Sequence, residues 1–142
     1  MEQKMPKERQ EKIAPKAKYC LLFVDVKESL GESFVEYFTR RNFKSVYATD
    51  KDNAMKYLEN NHVDVVISNM NIPGMDCLEM TEIIRKKYSA KVILFSGYPS
   101  PKNRKKAFQM GAHAYLSKPV PMEHLYGLIK KLIKKDVVYI GS

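Results

Sequence analysis

From Tyr19 onward, short apolar runs alternate with segments whose apolar residues recur every three or four positions. The short runs are residues 20–24, 45–48, 63–68, 91–96 and 114–117. Three of them, LLFV, VDVVIS and KVILF, are almost wholly apolar. Such runs suit strands of a parallel sheet covered on both faces. The segments between them read as helices. Leu30, Phe34, Tyr37 and Phe38 form one apolar stripe, and Ala54 and Leu58 a shorter one with Asp50 or Asp52 as N-cap. Met80, Ile83 and Ile84 mark a third helix. Ser100 followed by Pro101 reads as the start of a fourth, with Gly111 as its terminator. Pro121 and Glu123 open the last, striped by Leu125, Leu128, Ile129, Leu132 and Ile133. Strand–helix alternation repeated five times predicts an α/β domain built on a doubly wound five-stranded parallel sheet with five helices.

The flanks differ. Residues 1–18 are charged, lack apolar periodicity and contain Pro6 and Pro15, so they read as a flexible basic leader. The domain is expected over 19–136, with a short tail, VVYIGS, at 137–142, either an extra strand or a docked end. The length of 142 residues fits one domain. No apolar run approaches the ~20 residues that span a bilayer, and the N-terminus has no apolar core of a secretory signal. The expected location is the cytoplasm, with no membrane partner. Cys20 and Cys77 are too few for a disulfide framework or a metal cluster and are expected to be reduced thiols.

The polar residues at the strand ends carry the candidate chemistry. In open parallel sheets ligands bind outside the carboxyl ends of the strands. Asp25, Asn69, Ser96 and Lys118 stand at the ends of the first, third, fourth and fifth strands. Their segments, LLFVDVKES, DVVISNMNIPGMDCLEM, VILFSGY and GAHAYLSKPVP, resemble the receiver domain of two-component response regulators over about residues 19–135. The resemblance implies a flavodoxin-like strand order of 2-1-3-4-5. It also implies phosphoryl transfer to an aspartate ending the third strand, with Mg²⁺ held by that aspartate and two acids after the first strand. A Ser or Thr and a Lys then contact the phosphoryl group, and an aromatic residue on the fifth strand turns inward.

Matched residue by residue, this chain departs from that pattern. Asp25, Ser96 and Lys118 remain, and Tyr115 occupies the aromatic switch position. The acceptor position is Asn69, whose amide cannot form an acyl phosphate, and the second acidic position is Val26, followed by Lys27. Glu28 is expected in the first helical turn, facing elsewhere. Asp76 is expected to be a loop residue and no acceptor. Cys77 takes a loop position where the family commonly has Gly, which suggests some strain in that turn, and redox sensing there is a minor reading. A degenerate receiver is the result, with no catalytic residue, no bound metal and no cofactor. Lys118 is expected to pair with Asp25 or to donate to the Asn69 amide. Tyr115 is either a switch or a static aromatic. The loop VDVKESLGES lacks a phosphate cradle, which argues against a flavin-binding enzyme.

Charge adds one more element. The chain has 25 basic and 16 acidic residues, a net charge of +9. Six basic and three acidic residues put +3 in the leader, and the other 19 and 13 leave +6 on the rest. Lys102, Arg104, Lys105 and Lys106 fall on the fourth helix, and Lys130, Lys131, Lys134 and Lys135 on the fifth, with Arg85, Lys86 and Lys87 on the third. The fourth and fifth helices would flank the fifth strand and make that face positive. Solvated lysines are the bland reading. The sharper expectation is a phosphorylation-independent signalling module that binds an acidic protein, or a second copy as a homodimer, through this face. The alternative is a nucleic-acid-binding regulator using the same surface. No helix-turn-helix, zinc finger or aromatic-interleaved basic motif supports that alternative in sequence.

Overall fold

The computed structural model describes residues 17–134. Most of the predicted leader, the tail 137–142 and Lys135 lie outside them. Ten elements alternate strictly: β1 (Cys20–Val24), α1 (Glu28–Thr39), β2 (Lys44–Ala48), α2 (Lys51–Asn60), β3 (Val65–Asn69), α3 (Cys77–Ile83), β4 (Lys91–Ser96), α4 (Pro101–Gln109), β5 (Ala114–Ser117) and α5 (Met122–Lys134). A wider π-helical turn, Ile84–Tyr88, continues α3 and ends at Ser89 in the left-handed region. The strands form one parallel sheet in the order β2-β1-β3-β4-β5. The doubly wound architecture expected from the alternation is therefore observed.

Local chemistry explains the element boundaries. Asp50, not Asp52, caps α2 by accepting from the Asn53 amide at 2.8 Å. Ser100 caps α4 by accepting from the Asn103 amide, with Pro101 at the first position. Gly111 follows α4 at φ +107°, a conformation that a side chain would strain. The third strand differs from expectation. It starts at Val65 rather than residue 63; just before it, the Asp64 backbone donates to the Cys20 carbonyl and accepts from the Lys91 amide, and its carboxylate accepts from the Cys20 amide at 2.8 Å. It runs on through Asn69, which pairs in register with Phe95. The second strand starts one residue early, at Lys44, paired with Cys20.

Alternate residues of each strand point to opposite faces, and each face has its own core. Phe23, Ile67 and Ile93 meet Phe34 and Phe38 of α1 and Leu125, Ile129 and Leu132 of α5 on one side. Leu22, Val66 and Leu94 meet Ala54, Leu58, Met80, Ile84 and Ala107 of α2, α3 and α4 on the other. Of the predicted stripes, Leu30, Tyr37, Ile83 and Ile133 lie at the half-buried margins. The central strands are buried along their whole length, as their unbroken apolar runs imply.

His113, just before β5, is 3 % exposed. Burial, with the charges of Arg85 and Lys91 nearby, lowers its pKa from 6.5 to about 4. The unfolded chain therefore takes up this proton near pH 6.5, while the folded chain resists until about pH 4. Stability from this site is complete above pH 6.5 and is lost as pH falls from 6.5 towards 4, a change of about 3 kcal/mol. Urea unfolding of wild type and His113→Gln at neutral pH and near pH 4.5 checks this. The wild type should lose about 2–3 kcal/mol more than the variant. Equal losses would remove His113 as the cause.

Candidate functional site

Four of the singled-out residues converge where β1, β3 and β5 end. Asp25 follows β1 and is 2 % exposed. Its backbone amide donates to the Ala48 carbonyl at 3.1 Å, which holds the turn after the strand against β2. Its Oδ1 accepts from the Lys27 amide at 3.0 Å, and its Oδ2 lies 3.5 Å from the Lys118 Nζ. Lys118 is placed by its own amide, which donates to the Ser96 carbonyl at 2.9 Å. Its side chain is 30 % exposed, and Nζ sits 5.2 Å from the Phe95 ring centroid. Of the two partners expected for Lys118, Asp25 is the one it reaches.

Asn69 ends β3 and is 6 % exposed. Its Oδ1 accepts from the Asn71 amide at 3.2 Å, which orients the side chain and shapes the loop. Its backbone carbonyl accepts from the Cys77 thiol at 3.2 Å. No described residue accepts from the Asn69 Nδ2, so its amide protons are available to the cleft beside it. Asp25, Val26, Asn69 and Lys118 line that cleft together, a space of about 500 Å³. Val26 is 46 % exposed at its mouth.

The cleft walls are mostly apolar. Phe23, Leu30, Phe95, Val120, Met122 and Leu125 contribute to them. Sequence reasoning missed these residues because each carries an ordinary core signature. Only the packing of α1 and α5 at this end of the sheet turns them towards a common space.

Ser96 is not among the lining residues. It is buried at the end of β4, and its Oγ accepts from the Tyr98 amide at 3.0 Å, closing a local turn. Tyr115 lies on the other side of the sheet, in the core with α4. It is 4 % exposed, and its hydroxyl has no hydrogen-bond partner among the described residues. It also lines a separate cleft of about 310 Å³ with Pro101 and Arg104. Glu28 opens α1, is exposed and accepts from the Tyr47 hydroxyl at 3.2 Å, away from Asn69 as expected.

One expectation about the loop after β3 needs correction. Cys77 is not a loop residue: it is the first residue of α3, at a φ outside the left-handed region, so no strain attaches to it. Asp76 is, as expected, the loop residue before that helix. It caps α3, accepting from the Leu78 and Glu79 amides at 3.1 Å each. Burial pushes the Cys77 thiol up to about 11 and raises that of Cys20 as well. Thiols held protonated in this way are poor nucleophiles, which argues against redox sensing.

The basic helices are as exposed as expected. Lys102, Lys105, Lys106, Lys130, Lys131 and Lys134 are exposed, and Arg104 is half-buried against the Phe108 ring. None of these seven forms an ion pair among the described residues, and α4 contains no acid. Lys86 of the third helix pairs with Glu82, and Arg85 donates to the Ala90 carbonyl, so that helix adds less free charge. The structure also assembles a cluster with no local sequence signal. Arg41 lies 3.5 Å over the Tyr37 ring and 5.6 Å from that of Tyr126, and Lys130 lies 4.8 Å from the latter.

This fold and strand-end arrangement agree with what other proteins show. The model for the response regulator receiver domain matches residues 21–130. The chain belongs to this family. The probable transcriptional regulator ycf29 of Porphyra purpurea is 31% identical over 121 residues, covering 83% of this chain and 58% of that protein. The heme response regulator HssR of Staphylococcus saprophyticus is 26% identical over 123 residues, covering 87% of this chain and 54% of that one. The chain thus spans little more than half the length of these relatives. A two-component response regulator from Clostridium difficile superposes with a TM-score of 0.79 at 16% identity, over 84% of this chain and 98% of that one. One from Thermotoga maritima gives 0.75 at 21%, over 82% and 98%. At these identities the structural likeness speaks for the fold. No described helix is long and apolar enough to cross a membrane.

Proposed function

We propose that this receiver domain signals without phosphorylation, as a protein-binding module with no catalytic activity of its own. The observation that carries the reading is the donor set at the end of the sheet. Asn69 stands at the acceptor position, and among the described residues Asp25 is the only carboxylate lining the cleft. Mg²⁺ asks for near-octahedral oxygen ligation, usually with one or two free carboxylates. Here one Asp25 oxygen is engaged by the Lys27 amide and the other faces the Lys118 ammonium. Val26 offers no ligand atom, and the described residues contain no group of three His, Cys, Asp or Glu suited to a metal. The residues do not fit the metal that the family uses, and no phosphoryl step is derived through it. An NMR titration with Mg²⁺ and beryllofluoride tests this reading. Specific shifts around Asn69 and Lys118 at millimolar ligand would overturn it.

Partner binding is assigned to the face formed by α4, β5 and α5. Its support is the run of cations that form no ion pair among the described residues, which suits an acidic protein surface or an acidic patch on a second copy, in the cytoplasm. Charge reversal at Lys105, Lys106, Lys130 and Lys131 should remove the bound partner in affinity capture with mass spectrometry. Opposite charges brought face to face at an interface cost several kcal/mol when one sign is reversed. An unchanged partner set would move the interface elsewhere.

A nucleic-acid role is the second reading. The same cations favour it, as does the naming of relatives such as ycf29 as transcriptional regulators. Phosphate-driven binding must weaken steeply as salt rises. No binding of duplex DNA or RNA at low salt would remove this reading.

A further inference from the structure

The cleft beside Asn69 has kept its place in the fold but changed its chemistry. A phosphoryl site is ringed by carboxylates and a bound cation. This one has one buried carboxylate, two lysines and a predominantly apolar wall. Such a combination, mostly apolar with a few convergent polar groups, is the usual make-up of a small-molecule site, and about 500 Å³ is within the usual range of such sites.

We propose that this cleft binds a small carboxylate with an aromatic or branched apolar body. The inference rests on the reading that the pocket takes no phosphoryl group. The polar groups set the orientation. Asn69 Nδ2 offers donors that no described residue uses. Lys118 Nζ has three donors, and its one ion-pair partner, Asp25, is at a loose 3.5 Å. Lys27, exposed at the rim, adds a second cation. The lining charges therefore leave a surplus of one positive charge after Asp25 is matched, which favours a monoanion over a neutral or cationic ligand. The apolar groups set the body. Phe23, Phe95 and Leu125 form the inner wall, and Val26 stands exposed at the mouth where burial by a ligand would remove it from water. Asp25 excludes a second carboxylate or a phosphate dianion from the same depth, by like-charge repulsion in a poorly solvated setting.

Naphthoate is a suitable probe, with uncharged naphthamide as its isostere. The full chain, labelled with ¹⁵N, would be titrated with each and followed by amide shifts. Naphthoate is expected to saturate shifts at Asn69, Lys118, Val120 and Leu125 with a Kd on the order of 1 mM or tighter. Naphthamide and Lys118→Met with naphthoate should each be weaker by about 10-fold. Val26→Asp, which places a carboxylate at an exposed position and leaves the core alone, should weaken naphthoate similarly. The spectra report whether each variant remains folded. Absence of cleft shifts at about 5 mM naphthoate, equal affinity for naphthamide, or shifts confined to α4 and α5 would each overturn the proposal. A parallel titration with Mg²⁺ and beryllofluoride separates the two claims. Silence towards both probes leaves the phosphorylation-independent reading standing and removes only this one, whereas shifts with beryllofluoride overturn the underlying reading itself.

Discussion

Asn69→Asp alone should leave the domain almost unlabelled by acetyl phosphate, while Val26→Asp combined with Asn69→Asp should label. The single variant supplies a nucleophile but no metal site to neutralise the incoming phosphoryl group. Its new carboxylate would sit at a position only 6 % exposed, near Asp25, with Lys118 and the rim residue Lys27 as the cations among the described lining residues. Val26 is 46 % exposed, so an aspartate there meets solvent and costs little stability. The double variant then presents three carboxylates in place of one, so that one or two remain free to ligate Mg²⁺ even with Asp25 engaged by Lys27 and Lys118. Labelling of the double should exceed that of the single by at least about 100-fold, followed by intact-mass spectrometry with and without Mg²⁺. Rapid Mg²⁺-dependent labelling of the single variant would show that Val26 matters less than the donor set implies.

Phe34→Ala should be the most destabilising single truncation in the α1 half of the core. Phe34 is 0 % exposed. Its ring stacks on Phe23 at 4.5 Å and meets Phe38 at 4.4 Å, while Phe23 in turn lies 5.8 Å from Phe95. Removing the ring leaves a cavity between a helix and a sheet that are each pinned by other contacts, so collapse is limited. The expected loss is about 4 kcal/mol, a large part of the ~5–15 kcal/mol that domains of this kind possess. Urea unfolding should show a lower midpoint with an unchanged slope. A loss below about 1 kcal/mol would mean that neighbouring rings close the gap. Because Phe23 and Phe95 also wall the cleft, the variant should weaken naphthoate binding too if the cleft is a ligand site.

The strand-end residues show how far the sequence reached. Asp25, Asn69 and Lys118 were singled out as strand-end residues, and the structure brings them to one cleft together with Val26. That was legible because each follows an apolar run, and a parallel sheet places all such ends on one side. Ser96 followed the same rule, yet its hydroxyl turned to the Tyr98 amide and left the cleft. The rule locates a backbone position but not a rotamer. Cys77 was misread for a related reason. A helix start in NIPGMDCLEM depends on whether Asp76 caps or merely turns, and its two amide bonds decide that only once the backbone is placed.

By itself, the sequence determined the fold. Short unbroken apolar runs and period-three-to-four apolar patterns, with cap candidates at Asp50 or Asp52 and at Ser100 and a terminator at Gly111, admit few alternatives to a doubly wound sheet. It also determined that the residue ending β3, Asn69, carries an amide whatever surrounds it. The tertiary structure alone decided that the pocket around Asn69 is apolar. Phe23 and Leu125 are 102 residues apart by number and carry no joint signal until α5 packs on the face of the sheet that β1 presents to it. It alone decided, too, that Lys118 reaches Asp25 and that Tyr115 points into the core with no hydroxyl partner among the described residues. Composition and periodicity report burial. Which buried atoms face each other depends on distances between elements far apart in the chain, and only packing sets those.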